Sequence, residues 1–191
     1  MDNKNNKIVV YTLQTEKVVD KINKEGICFS KEEYVNKKYG ESSKIFTTVY
    51  SWFAKELNKY VKKPEKAEYP YWVFKDLYNI ENSNLDKILK LEIPLDEVVL
   101  FDVRDWNRIM CLKYLGESKE DEEVFKNKIN QYGVLENKVV LTDFYPDLKK
   151  EIMMSWKNLF RNLDILKNGK DVTINGIQGA VWNIKKEWII D

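Results

Sequence analysis

The alternation of apolar and polar positions along the chain predicts short strands interleaved with helices. The predicted strands are 8–13, 27–29, 69–74, 89–93, 98–101 and a last strand or hairpin over 177–190. The predicted helices are 16–24, a short one running from the Ser30/Glu33 capping box to Gly40, and 45–61, 105–113, 124–132 and 147–166. Residues 139–141 fit either type, and 1–6, 79–86 and 168–170 are expected to be a disordered tail, a loop and a turn.

The stretch from 89 to 106 is the most informative part of this pattern. Leu89, Leu91 and Ile93 alternate with charged residues, which predicts a strand with one buried face that ends at Pro94. The run 98–101 is entirely apolar and predicts a strand buried on both faces. Charged residues follow immediately, and Asp105 is predicted to cap the next helix.

These elements do not follow a regular βαβ rhythm. We therefore expect an α+β fold, with a single compact domain over 1–191 and a small mixed or antiparallel sheet packed with several helices. A chain of 191 residues that is 43% hydrophobic and 33% charged can form such a packed core.

The charge balance and the apolar segments limit the classes of partner. Lys+Arg 32 against Asp+Glu 31 gives a net charge of +1, which predicts no general attraction to nucleic acid or to an anionic membrane. No segment approaches about 18 consecutive apolar residues, and the start MDNKNNK lacks the apolar region of a signal peptide. We expect a cytoplasmic protein, and the richness in Lys and Asn is typical of low-GC bacteria.

The absence of histidine excludes several chemistries. With His 0, the chain has no Ser-His-Asp or Cys-His arrangement and no imidazole ligand for a metal. Cys28 and Cys111 are too few for a zinc site and are expected to be buried free thiols. The acidic run 117–123 fits a helix start better than a metal site, so no metal is predicted. Any catalysis would use carboxylates, Lys, Tyr, Ser/Thr or amides.

The three arginines, Arg104, Arg108 and Arg161, have two interpretations. Structural ion pairs are favoured over a clamp for a carboxylate or phosphate, although arginine suits both roles.

Aromatic residues and two glutamines supply the remaining candidate chemistry. Most tyrosines and tryptophans are expected in the core, and a few would line a pocket for a flat ligand such as a nucleobase. Gln14 ends the first predicted strand and Gln178 begins the last one. Each amide has an ordinary role in bonding nearby backbone, but the two would also serve a ligand if they converged on one cleft.

Dispersed aromatic and polar segments carry a resemblance to a known family. They are Tyr-Thr-Leu-Gln at 11–14 with Gly26, Tyr-Ser-Trp at 50–52, Tyr-Pro-Tyr-Trp at 69–72, the stretch 91–106, Ser-Trp at 155–156 and Ile-Gln-Gly-Ala-Val-Trp at 177–182. Over nearly its whole length the chain resembles an uncharacterised bacterial family of the DUF3841 type. That family implies no activity and no catalytic residues.

A weaker similarity concerns the fold alone. The first strand, the helix ending at a glycine and the segment EIPLDEVVLFD are similar to small ADP-ribosyltransferase-like domains, including toxins of the DarT type. The chain departs from their active sites, because it has no His, no Arg in the first strand, and neither Gln178 nor Glu187 forms the usual closing acid motif. Fold similarity alone does not establish function.

Three hypotheses follow. The first is a nucleotide-binding domain, for NAD or ADP-ribose, in a toxin or phage-conflict setting. Its ligand-binding residues are predicted to be Gln14, Tyr50, Trp72, Arg104 and Gln178. The alternative is a non-catalytic protein-interaction domain whose exposed aromatics form a patch for a protein partner. The third is a carboxylate-based hydrolase that uses Asp102, Asp105 and Glu92.

Overall fold

A computed structural model describes residues 6–40, 43–80, 86–169 and 176–191. The strands are β1 (Lys7–Thr15), β2 (Ile27–Phe29), β3 (Tyr71–Phe74), β4 (Asp86–Pro94), β5 (Val99–Asp102), β6 (Ile177–Val181), β7 (Asn183–Lys185) and β8 (Ile189–Ile190). The α-helices are α1 (Glu16–Glu25), α2 (Glu32–Tyr39), α3 (Ser43–Tyr60), α4 (Val103–Met110), α5 (Lys119–Gln131), α6 (Glu136–Leu141), α7 (Pro146–Ser155) and α8 (Leu163–Lys167). The predicted tail apart from Asn6, most of the predicted loop 79–86 and Lys170 of the predicted turn lie outside the described residues.

Six strands form one antiparallel sheet in the order β5-β6-β3-β1-β4-β8. The long strand β1 pairs with β4 in an uninterrupted register from Lys7↔Pro94 to Thr15↔Asp86. The two remaining strands, β2 and β7, form a separate antiparallel ribbon. Helices pack around this sheet, so the predicted α+β class is confirmed.

The strand register assigns each side chain to one of two faces of the sheet. Tyr11 lies opposite Phe74, Phe74 opposite Gln178, and Gln178 opposite Phe101. Directly opposed residues point to the same side, so these four lie on one side, together with Trp72 two residues from Phe74. We call this side the aromatic face.

The other side, which we call the opposite face, carries alternate residues of the same strands, such as Thr12, Gln14, Tyr71, Val73 and Gly179.

Each face is covered by a different layer. Helix α3 packs on the aromatic face through Phe53, whose ring lies 5.1 Å from Trp72 and 5.5 Å from Phe101 between centroids. The β2–β7 ribbon packs on the opposite face, where the Tyr71 hydroxyl donates to the Cys28 sulfur at 3.1 Å. The predicted helix 45–61 is therefore confirmed as a core element. No helix within the described ranges is both long and apolar enough to cross a bilayer.

The C-terminal segment contributes three separate strands, where the pattern predicted one strand or hairpin. Strand β6 inserts between β5 and β3, β7 leaves the sheet to pair with β2, and β8 pairs with β4 at the far edge. The alternation of Ala180, Trp182 and Ile184 is real, but the three strands pair with different partners. Pattern within one segment does not reveal partners that come from distant parts of the chain.

The predicted helix 147–166 is also divided. Helix α7 ends at Ser155, a 3₁₀ turn runs over Trp156–Phe160, and α8 begins at Leu163. The Trp156 indole donates to the Lys113 carbonyl at 2.8 Å, and Asn158 donates to the Leu115 carbonyl at 2.9 Å. The irregular turn is stabilised by these bonds to a neighbouring loop, which a hydrophobic period cannot predict. Residues 139–141, whose pattern fits either a strand or a helix, belong to α6.

Two predicted helix caps are wrong. Asp102, not Asp105, caps α4, because its carboxylate accepts from the Arg104 amide at 2.8 Å. Asp102 is the last residue of β5 and therefore has the extended backbone that a cap requires. In α2 the cap position is Lys31, with no side-chain cap bond, and Ser30 instead forms a bridge with Tyr69.

The close packing around Gly179 predicts that a side chain at this position destabilises the sheet. A Cβ at this position would lie 2.8 Å from the Val99 carbonyl oxygen and 3.1 Å from Val73. Because a backbone atom of the paired strand cannot move aside, Gly179→Ala should lower the free energy of unfolding by about 3 kcal/mol, at the upper end for overpacking. Chemical denaturation measures the change.

Gly26→Ala is the comparison variant. Gly26 has a positive φ of 78° but open space around its Cβ position, so its substitution should cost only about 1–2 kcal/mol of backbone strain. A Gly179→Ala protein as stable as Gly26→Ala would show that β6 lies less close to β5 than described.

Candidate ligand-binding site

Gln178 lies in a row of side chains that crosses the aromatic face. Its neighbours in the row are Phe74 on β3 and Phe101 on β5, with Tyr11 next to Phe74. The side chain is only 4% exposed, and no described residue makes a hydrogen bond with its amide. Its polar atoms are not fully enclosed, because the buried side-chain oxygen or nitrogen without a partner among the described residues is Asn183 Oδ1, and the Gln178 amide keeps some contact with solvent.

Trp72 lies beside this row and is the one tryptophan that remains half-buried. Its ring centroid lies 5.1 Å from that of Tyr50 and 4.5 Å from that of Trp106. Burial and the nearby Tyr39 raise the pKa of the Tyr50 hydroxyl well above its usual value, although an interaction with Trp72 opposes the rise. Tyr50 is therefore protonated at neutral pH and available only as a neutral hydroxyl.

The exposed tryptophan patch expected of an interaction domain is absent. Five tryptophans are buried in the core: Trp52, Trp106, Trp156, Trp182 and Trp188. The indole N–H of Trp182, for example, donates to the Val61 carbonyl at 2.8 Å. The interpretation of most aromatics as core residues is confirmed.

Gln14 lies on the opposite face, so the predicted convergence of the two glutamines is wrong. It is an odd number of residues from Tyr11 on an unbroken strand, and Tyr11 shares its side with Gln178. Its amide donates to the Thr12 hydroxyl at 2.7 Å, and that hydroxyl donates to the Trp72 carbonyl at 2.8 Å. Gln14 has the local structural role that a polar residue near a strand end often takes.

Arg104 lies in the first turn of α4, where β5 ends. Its guanidinium donates to Asp102 at 2.8 Å through Nη2, and the side chain is 54% exposed. Asp102 is opposite Ile177, the residue before Gln178, so this ion pair lies at the same end of the sheet as the unpartnered amide. The structure thus brings Tyr50, Trp72 and Gln178 to the aromatic face, and places Arg104 at its end.

The other two arginines also form ion pairs, as expected. Arg108 pairs with Glu122 and donates to the Tyr114 carbonyl at 2.9 Å. Arg161 donates to Asp105 at 2.7 Å and to the Gly116 carbonyl at 3.0 Å. Together with Trp156 and Asn158, they hold the loop after α4 in place.

The carboxylates proposed for a hydrolase do not assemble. Glu92 is on β4 and pairs with Lys7 at 2.9 Å. Three strands separate β4 from β5, so Glu92 is roughly 19 Å from Asp102 at the usual strand spacing. Asp105 is buried, and burial raises its pKa while the charge of Arg161 opposes the rise. Asp102 and Asp105 are each paired with an arginine, and Glu92 is on a distant strand, so the three carboxylates do not form the site that the hydrolase hypothesis requires.

The acidic run 117–123 forms a helix start, as predicted. Ser118 caps α5 by accepting from the Asp121 amide at 3.2 Å. Within the described ranges no three or more Cys, Asp or Glu side chains are arranged to hold a metal ion. Cys28 is buried as expected, but Cys111 is exposed because it lies at the C-terminal end of α4.

Two surface cavities lie on either side of α7, away from the predicted site residues. The first, of about 450 Å³, is lined by Trp52, Glu56, Asp143, Pro146, Lys149, Lys150, Met153, Met154 and Lys157. The second, of about 520 Å³, is lined by Tyr114, Glu117, Asp121, Asp147, Lys150, Glu151, Met154, Ser155 and Asn158. Sequence reasoning missed both, although the Lys and Met positions of α7 recur at helical spacing and were available as a signal.

Comparison with known proteins assigns the chain to a family. The model of DUF3841, a domain of unknown function, matches residues 9–190. The chain belongs to the DUF3841 family. No curated protein and no solved structure matches it. This DUF3841 domain therefore has to be understood from its own geometry.

Asp105 predicts a pH dependence of stability. Because its pKa is raised in the folded protein, the folded state binds a proton more tightly than the unfolded chain. The free energy of unfolding therefore falls as the pH rises from the ordinary carboxyl pKa of about 4 to the raised pKa of Asp105 in the folded protein. Asp105→Asn has no carboxyl group to titrate, so it does not lose stability in this way. Between the two pKa values, the free energy of unfolding of the variant relative to wild type should rise with pH, as measured by chemical denaturation.

Asp143→Asn is a control variant for which the opposite pH dependence of stability is expected. The hydrogen bond from Lys149 lowers the pKa of Asp143, so the stability it contributes is lost as the pH falls below the ordinary carboxyl pKa. Relative to wild type, this variant should lose stability as the pH rises. The same slope for both variants would contradict the environment described for Asp105.

Proposed function

We propose that this DUF3841 domain binds a nucleotide of the NAD or ADP-ribose type on the aromatic face of its sheet. The observation that carries the proposal is the Gln178 amide, which is 4% exposed and has no hydrogen-bond partner among the described residues. The amide bonds no protein group and still has some contact with solvent, so beside flat side chains it is free to bond a ligand. The ligand's hydrogen bonds would replace those that the amide makes to water.

The chemistry of an amide fits this class of ligand. A glutamine side chain presents a donor and an acceptor side by side, which matches the edge of adenine or the carboxamide of nicotinamide. A flat ring beside that amide would stack on the half-buried Trp72. Tyr50, next to Trp72 and neutral, would hold the indole in position.

Arg104 would serve the charged part of the ligand. A guanidinium has five N–H donors, and its pair with Asp102 leaves some of them open to solvent in a side chain that is 54% exposed. Asp102 alternates with Phe101 and so belongs to the opposite face. A phosphate from a ring held at Gln178 would therefore reach Arg104 around the end of the sheet, where β5 ends and β6 begins. The five-residue site predicted from the sequence required Gln14 and Gln178 to lie close together, which the strand register contradicts, so the site proposed here is a revised one that excludes Gln14. No catalytic residue is assigned.

A thermal-shift experiment on two matched variants tests the proposal. A nucleotide at 100 times its dissociation constant should stabilise wild type by roughly 2.7 kcal/mol. Gln178→Leu should abolish the shift with NAD and ADP-ribose and leave the stability of the free protein nearly unchanged, since it removes no hydrogen bond within the described protein.

Gln14→Leu is the matched control. It makes the same chemical change on the opposite face, where it removes the bond to Thr12, so it should lower stability and leave the nucleotide shift intact. A shift retained in Gln178→Leu would remove the amide from the site. The absence of a shift in wild type with NAD, ADP-ribose, ATP and GTP would reject nucleotide binding altogether.

A further inference from the structure

The cavity between α3 and α7 has the chemistry of a peptide-binding groove. Trp52 and Glu56 of α3 form one wall, and α7 with the following 3₁₀ turn forms the other. The α7 side presents one helical stripe, consisting of Pro146, Lys149, Lys150, Met153, Met154 and Lys157. These positions recur at intervals of three and four residues, so they face the same direction. We call this surface the Met/Lys groove.

The charges of the Met/Lys groove are not balanced. Lys149 is paired with Asp143 at 2.8 Å, and Glu56 is paired with Lys59 at 2.6 Å. In contrast, Lys150 and Lys157 form no ion pair and no side-chain hydrogen bond with any residue in the described part of the chain. The lining thus has three lysines against two carboxylates, and Lys150 and Lys157 are the lysines of the lining that form no ion pair.

The apolar part of the groove is exposed in a way that folding does not explain. Met154 of the lining is 54% exposed, and Phe144, which does not line the groove but follows the lining residue Asp143 in the chain, is 84% exposed. The α3 wall is rigid, because the Trp52 ring packs against Trp156 with centroids 5.2 Å apart. Flexible methionines beside a rigid aromatic wall are typical of surfaces that accept apolar side chains from a partner.

The second cavity, on the other side of α7, makes the charge around the groove asymmetric. Lys150 and Met154 lie on the ridge between the two, and the far side carries Asp147, Asp121 and Glu151. An acidic ligand is attracted to one side of α7 and repelled from the other, which fixes how it lies.

We propose that the Met/Lys groove binds an acidic segment of a partner protein that carries apolar anchor residues. Two lysines are few for tracking a nucleic-acid backbone, and Phe144 with Met154 extends the apolar surface beyond a cavity of small-molecule size. The site is independent of the proposed nucleotide site, because the two share no residue.

Selection from a displayed library of random short peptides tests this. Peptides enriched on the wild-type protein are expected to combine Asp or Glu with Leu, Phe, Trp or Met. In fluorescence polarisation, Lys150→Glu/Lys157→Glu should weaken their binding at least about tenfold, and high salt should weaken wild-type binding.

The control Lys17→Glu/Lys24→Glu makes the same charge change at the same seven-residue spacing on exposed positions of α1, and should leave binding unchanged. Phe144→Ser should also weaken binding, whereas Val124→Ser, another exposed apolar residue, should not.

Three outcomes would overturn the inference. One is enrichment of no acidic and apolar motif. Another is equal binding of the selected peptides to wild type and Lys150→Glu/Lys157→Glu. The third is binding of a labelled single-stranded oligonucleotide that Lys150→Glu/Lys157→Glu abolishes, which would make the groove a nucleic-acid site.

Discussion

Strand β6 is the element on which the sheet depends. It is the only described strand that pairs with both β5 and β3, so without it β5 and the helix that follows have no place beside the rest of the sheet. The pairing requires Gly179, whose missing side chain lets the Val99 carbonyl approach. The same strand carries Gln178, one residue earlier and on the other side. The tightest packing and the unpaired amide therefore occur at adjacent positions.

Local pattern predicted much of the fold because the strongest elements are local. The alternation in β4, the glycine that ends α1 and the helical face of α3 each depend on neighbours within a few residues. The division of 147–166 and the separation of 177–190 into three strands depend on Lys113, Leu115 and β2, which are distant in sequence. The spacing of hydrophobic residues within either segment does not reveal contacts with such distant residues.

The difference between local pattern and contacts distant in sequence also explains which parts of the candidate site could be predicted. Residue type identified Trp72, Tyr50 and Gln178 as suitable for a flat ligand, and they share one face of the sheet. Gln14 was equally suitable by type, but its side is set by the register between β1 and β3, where a shift of one residue exchanges the two faces. The row that places Gln178 between two phenylalanines was likewise invisible before the strand order was known.

The order in which the strands are synthesised has a consequence for the cell. The ribosome completes β3 and β5 well before it reaches β6, and at about 5–20 residues per second the interval lasts on the order of several seconds. Throughout that interval the backbone edges that β6 will occupy are unpaired on a nascent chain, and such edges invite pairing with other chains. A sheet built from consecutive hairpins leaves its strand edges unpaired for a shorter time during synthesis than this topology does.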